Sequence, residues 1–247
     1  MDRAEVLALY DPIRAGIQRV LSLATKVCSR ADLTRAIRQV VPWIDLNDLM
    51  PDEIPEMIFD VALFEPNQRG RRAYDRFLER KAGTLSASDQ ALTQKMAGAW
   101  FSIFRMAGPH EVAGLWLEDR LDGDRRIWLM DKSLEARAED GLEIAMRLFD
   151  AGPFHAGFGI VVVPDEDTVG YAVEARTRGA PLPFRYSLAA TLYGDELRAE
   201  QPLESLDPLV LEAMEALAAS FVRMPRKRPA RKTTRRHGTR SGKQPQP

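Results

Sequence analysis

Through the first hundred positions apolar side chains recur every three or four residues, the spacing that aligns them on one face of a helix. Asp2 is placed to cap a first helix whose stripe is Val6, Tyr10, Ile13, Ile17, Val20 and Ala24. Pro12 falls inside this run, so the helix is expected to begin there or to bend. Ser29 with Asp32 has the form of a capped start, followed by Leu33, Ala36, Ile37, Val40 and Val41 and ended by Pro42. Ile54, Met57, Ile58, Val61 and Ala62 carry a third helix. A turn at Asn67-Gln68-Arg69-Gly70 leads to a short fourth with Tyr74, Phe77 and Leu78. Ser86 with Asp89 opens a fifth, expected to present Leu92, Met96, Ala99, Trp100, Ile103 and Phe104 and to stop at Gly108-Pro109.

The period changes after Pro109. Residues 112–120 read as a strand, Asp122-Gly123 as a hairpin turn, and Ile127 to Met130 as the return strand. Over 142–148, Leu142, Ile144, Met146 and Leu148 alternate with Glu143 and Arg147, which puts every second side chain on one sheet face. Phe158 to Val163 is a further strand rich in β-branched residues. Asp165 to Asp167 looks like an acidic helix start leading through Val169, Ala172 and Val173. Val169, Tyr171 and Val173 also alternate, so a strand stays open there. Residues 178–186 read as loop, and Val210, Met214, Leu217 and Phe221 mark a last helix over about 207–222. The fold expected is α+β. A helical subdomain (1–107) precedes a small antiparallel sheet or partly open barrel (108–164), then a mixed segment ending in a helix (165–222) and a disordered tail (223–247).

Composition adds exclusions. The chain has 247 residues, 45% of them apolar, and a single cysteine, Cys28. That rules out a disulfide framework and a cysteine-based zinc cluster, and His110, His155 and His237 show no ligand spacing. No cofactor or metal is expected. No apolar run is long enough to span a membrane, and the first residues lack the form of a signal peptide. A cytoplasmic protein is the expectation.

The net charge of −1 hides a segregation. Residues 223–247 hold ten Lys or Arg and no acid, while the first 222 hold 25 basic and 36 acidic side chains. The tail thus carries +10 and the body −11. Arg226, Lys227, Arg228, Arg231, Lys232, Arg235 and Arg236 lie on a segment too poor in apolar residues to fold. They are the candidate nucleic-acid contacts, able to follow a phosphate backbone without reading sequence. No aromatic residue is interleaved, so the tail offers no base stacking.

Elsewhere the catalytic signatures are missing. There is no phosphate loop, and the glycines at 152, 157 and 159 lack dinucleotide order. There is no Gly-x-Ser-x-Gly elbow, and Ser102 and Ser133 have no base partner visible in sequence. His155 reads as a loop or surface residue, His110 as a turn residue beside Glu111, and Cys28 as a packed thiol. The acids Glu118, Asp119, Asp122 and Asp124 alternate with Arg120, Arg125 and Arg126, which can neutralise them, so the set reads as a solvated turn. Trp100, Trp116 and Trp128 all fall in or beside the β unit, as core or as the lining of a groove. Trp43 stands in the loop before the third helix, placed to pin two helices.

Several segments carry a family likeness: Ile58-Phe59-Asp60-Val61-Ala62-Leu63-Phe64, the basic Arg69 to Arg72 stretch, Tyr74, Phe77 and Leu78, and the Leu85 to Phe104 run. The Leu117 to Gly123 hairpin and the Glu139-Asp140-Gly141-Leu142 strand entry extend it. Together these resemble a little-characterised bacterial family whose members often carry a C-terminal SEC-C zinc motif, which this chain lacks. The resemblance implies a helical segment followed by a small β unit and assigns no catalytic residue. The functional expectation is a non-enzymatic binding or adaptor protein. Its folded body would meet a protein partner and its tail a nucleic acid. The alternative is an enzyme or small-ligand sensor with a site in the β unit near His155, Asp119 and the tryptophans.

Overall fold

The capping signals near the N-terminus are used as read. In a computed structural model that describes residues 1–44 and 54–199, α1 runs Arg3–Thr25, straight through Pro12. Asp2 accepts the Glu5 amide at 2.9 Å while the Glu5 carboxylate accepts the Asp2 amide at 2.8 Å, a reciprocal cap. Ser29 and Asp32 cap α2, Arg30–Val40, in the same way. Next come α3 Glu56–Phe64, α4 Ala73–Lys81 and α5 Ala87–Ala97, the last capped by Ser86.

The fifth helix is shorter than its stripe suggests. It ends at Ala97, and Trp100–Pro109 is strand β1. This strand is apolar on both faces: Phe104 and Met106 enter one core while Ile103 packs in another. A strand buried on both sides loses its alternation and imitates a helical stripe.

Strands β2 (Leu115–Asp119), β3 (Arg125–Leu129), β4 (Glu143–Asp150) and β5 (His155–Val162) complete the sheet, with the short α6, Lys132–Glu135, between β3 and β4. The sheet closes into a barrel in the order β1-β2-β3-β5-β4, and β4 pairs back onto β1. Every pairing is antiparallel except β3 with β5, joined where Leu129 meets His155. This order gives a closed five-stranded barrel with one parallel step and a short helix after β3. Phe104, Met106, Leu115, Leu117, Ile127, Leu129, Ile144, Met146 and Leu148 fill the interior. Burying each such side chain contributes on the order of 1.5–3 kcal/mol.

Residues 166–177 are helix α7 with Asp165 as its cap, which settles the open choice there. Helix α8, Leu188–Ala199, has no counterpart in the expectations. The helix expected over 207–222 and the basic tail lie outside the described residues. Helices α1, α5 and α8 pack on the outer sides of β1, β4 and β5.

Candidate nucleic-acid interface

In a closed barrel side chains alternate between interior and exterior. Along β2 and β3 the interior takes Leu115, Leu117, Ile127 and Leu129, so Trp116, Glu118, Arg126 and Trp128 face outward. The register sets Trp116 opposite Trp128 and Glu118 opposite Arg126.

The loop between β1 and β2 folds back over this pair. Gly114 makes the turn with a φ of +77°, and a Cβ there would lie 2.2 Å from the Leu129 carbonyl oxygen, so no larger residue fits. The turn lays the His110 ring on Trp128, with centroids 3.9 Å apart and planes 4° from parallel, and brings it 4.7 Å from Trp116. Both indoles are fixed by their N–H groups. Trp128 donates to the Ala113 carbonyl at 2.7 Å, and Trp116 to the Glu111 carboxylate at 3.2 Å. The Arg126 guanidinium covers Trp116 at 4.3 Å. Glu118, its cross-strand neighbour, is taken by Arg105, whose Nε donates at 2.9 Å. Among the described residues Arg126 makes no ion pair, and it is exposed. The outcome is an Arg-Trp-His-Trp stack: Trp128 packs on the helical core, the His110 side chain is 9% exposed, and the Arg126-Trp116 end meets solvent with one unneutralised cation. Burial holds the His110 imidazole below the ordinary histidine value, against the pull of Glu111.

One end of the barrel interior is polar. Asp119, buried, accepts hydrogen bonds from the Ser102 hydroxyl, the Leu121 amide at 3.1 Å and the Trp100 indole at 3.2 Å. Ser102 thus has a carboxylate partner, which lies 17 residues away and is invisible to a motif search. His155 is the first residue of β5 and half-buried, not a loop residue. It meets Trp100 edge-on at 5.6 Å, so one indole touches both His155 and Asp119 while no hydrogen bond joins imidazole to carboxylate.

The opposite outer face is sealed. Arg147 on β4 donates from Nε to both Asp60 oxygens, at 3.0 and 3.1 Å, and from Nη2 to Glu65 at 2.7 Å. Phe64 and Phe101 flank its guanidinium. Burial raises the Asp60 carboxyl and Arg147 pulls it back; burial beside Asp60 holds the Tyr193 hydroxyl well above the usual phenol range.

The remaining candidates are accounted for locally. Asp122 pairs with Arg125 at 2.9 Å and Asp124 with Arg120, as a solvated turn requires, but Asp119 is buried and Glu118 pairs with Arg105, so these two acids do not belong to that turn. Burial pushes the Cys28 thiol up to about 11, the state of an unreactive packed cysteine. Trp43 packs near α8 under Arg198. Among the described residues no three His, Cys, Asp or Glu side chains gather as metal ligands, and no helix is long and apolar enough to cross a membrane. Arg226, Lys227, Arg228, Arg231, Lys232, Arg235 and Arg236 lie outside the described residues.

A family profile matches residues 8–173, well over half of the sequence. The chain belongs to DUF7986, a family of unknown function. The matched region runs from α1 into α7 and takes in the whole barrel with its Trp116/Trp128 platform. Nothing matches among the curated proteins or among the solved structures.

Sequence reasoning missed His110 and Arg126 as members of this site. The one available signal was two tryptophans at mirrored positions about the Asp122-Gly123 turn, which a hairpin register brings face to face.

Proposed function

We propose that this protein is a non-enzymatic binder of single-stranded nucleic acid. The strand lies on the outer face of β2 and β3, and the basic C-terminal segment adds sequence-independent phosphate contacts. A fold alone does not name a ligand. The observation that carries the reading is the Arg126-Trp116-His110-Trp128 platform on the face with which barrels of this topology meet their ligands. Bases stack on aromatic rings and on guanidinium planes, and an unpaired arginine beside them receives phosphate. The body's net negative charge opposes a polyanion everywhere else, so attachment is confined to this face and to the tail.

The test is fluorescence anisotropy of a labelled 20-nucleotide poly-dT strand, and of a random duplex, titrated with the full chain at low salt. Trp116→Ala is expected to weaken the single strand selectively. Deleting 224–247 is expected to weaken strand and duplex together and to flatten the salt dependence. Absence of single-strand binding by the full chain, or equal affinity in Trp116→Ala, overturns the proposal.

A further inference from the structure

The polar end of the barrel opens into a cleft of about 470 Å³, away from the tryptophan platform. Mouths of β-barrels are frequent small-molecule sites, and this volume falls in the usual range. Its floor is Ser102 and Asp119, its apolar walls include Trp100 and Leu188, and Arg125 and Arg176 stand at the rim.

Counting hydrogen-bond capacity shows what is left over. Asp119 Oδ1 is occupied by the Ser102 hydroxyl and the Leu121 amide, whereas Oδ2 accepts only from Trp100. A carboxylate oxygen accepts two hydrogen bonds, so one position on Oδ2 is open. The Arg125 Nη2 lies 4.0 Å from Oδ2, too far for a direct hydrogen bond, while its Nε is held by Asp122 at 2.9 Å. An acceptor and a donor thus stand side by side at Trp100, whose indole N–H meets Asp119 and whose ring the Arg125 guanidinium overlies at 5.3 Å. Arg176 is exposed, spends only its Nε on the Leu121 carbonyl, and makes no ion pair among the described residues.

From this arrangement we infer that the barrel mouth is a second binding site, for a nucleoside monophosphate. The base inserts beside Trp100, giving an N–H to Asp119 Oδ2 and taking a hydrogen bond from Arg125 on its neighbouring acceptor. The phosphate reaches the free amino groups of Arg176, the fork geometry that suits phosphate. The two aspartates and two arginines cancel in charge, so a bare anion gains little here. The base and the phosphate are needed together.

Isothermal titration of the full chain with AMP, GMP, CMP and UMP, their nucleosides and ribose 5-phosphate tests this. At least one monophosphate is expected to bind tenfold or more tightly than both its nucleoside and ribose 5-phosphate. Arg176→Ala should reduce that monophosphate to its nucleoside's affinity and leave the nucleoside unchanged. Trp116→Ala should retain the monophosphate, which separates this site from the platform. Ribose 5-phosphate binding as well as the monophosphates, no binding at millimolar concentration, an unaffected Arg176→Ala protein, or loss in Trp116→Ala would each overturn the assignment.

Discussion

Arg147 and Arg126 both point outward from the same barrel and both lie over aromatic rings, yet they live under opposite rules. Arg147, on β4, is 4% exposed and grips two carboxylates. Arg126, on β3, is exposed and has none among the described residues. A buried cation without counter-charges is prohibitively costly, so helix α3 must deliver Asp60, and the chain just beyond it Glu65. An exposed cation suffers no such demand. Its donors remain free for whatever arrives from solvent. The sealed face therefore reports on folding, and the open face on binding. Substitutions on the two faces should change different measurements.

The largest effect belongs to the sealed face. Arg147→Met strands Asp60 and Glu65 in the interior and should destabilise the fold by about 3–5 kcal/mol, read from urea denaturation. Oligonucleotide affinity of the protein that remains folded should be unchanged. Adding Asp60→Leu should recover part of the loss, since removing both partners of a buried pair is less harmful than removing one. A double variant less stable than Arg147→Met would mean that Asp60 has a role beyond its pairing.

On the open face the order reverses. Trp116→Ala removes a half-buried ring and should leave the unfolding midpoint far less changed than Arg147→Met does. It should cost about 1–3 kcal/mol of binding for each base stacked there, a loss of between roughly fivefold and 150-fold in single-strand affinity. Arg126→Ala should weaken strand binding less and reduce its salt dependence by about one phosphate contact. If either variant chiefly unfolds the protein instead, the platform is a packing device and the contrast between the faces fails.

Acid should expose a further difference. Burial holds His110 and His155 below the ordinary histidine value of 6.5. Glu111 draws His110 up and Arg126 pushes it down; Asp150 and Arg125 do the same to His155. The unfolded chain takes up protons as pH falls through 6.5, while the folded chain resists. Stability therefore declines below that pH and levels off once the folded imidazoles also protonate. Thermal unfolding between pH 7.5 and 5 should show the decline, and His155→Phe should flatten it. An unchanged slope in both His155→Phe and His110→Phe would assign the acid sensitivity elsewhere.

What could be read beforehand follows from distance along the chain. The caps at Asp2, Ser29 and Ser86 act over three residues, and the alternation of β4 is local, so both were legible. Strand β1 was not, because its second apolar face exists only once helices cover it. Helix α8 contains Gly194, a poor helix former in isolation. Its use is tertiary: a Cβ there would sit 2.5 Å from the Val40 carbonyl oxygen of α2. The hairpin placed Trp116 and Trp128, but the His110 stack depends on a loop closing across β3. Asp60 and Arg147 are 87 residues apart, and no pattern in one strand or helix announces such a partner.

The smallest expected effect is the sharpest control. Arg105 and Glu118 form the same kind of pair as Arg147 and Asp60, on adjacent strands at the edge of the open face. Water already solvates Arg105, which is 42% exposed. Exchanging that hydration for a carboxylate gains little, and salt screens what is gained. Arg105→Ala should therefore leave the urea midpoint close to that of the parent chain, at low salt and high salt alike. It should nevertheless weaken binding slightly, through a neighbour. Glu118, released from Arg105, faces Arg126 across the strands and would draw that cation away from phosphate, so single-strand affinity should fall modestly. Glu118→Ala should do the opposite. Matching shifts in stability for Arg105→Ala and Arg147→Met would erase the distinction between the two faces, because geometry alone, without burial, would then be setting the worth of an ion pair.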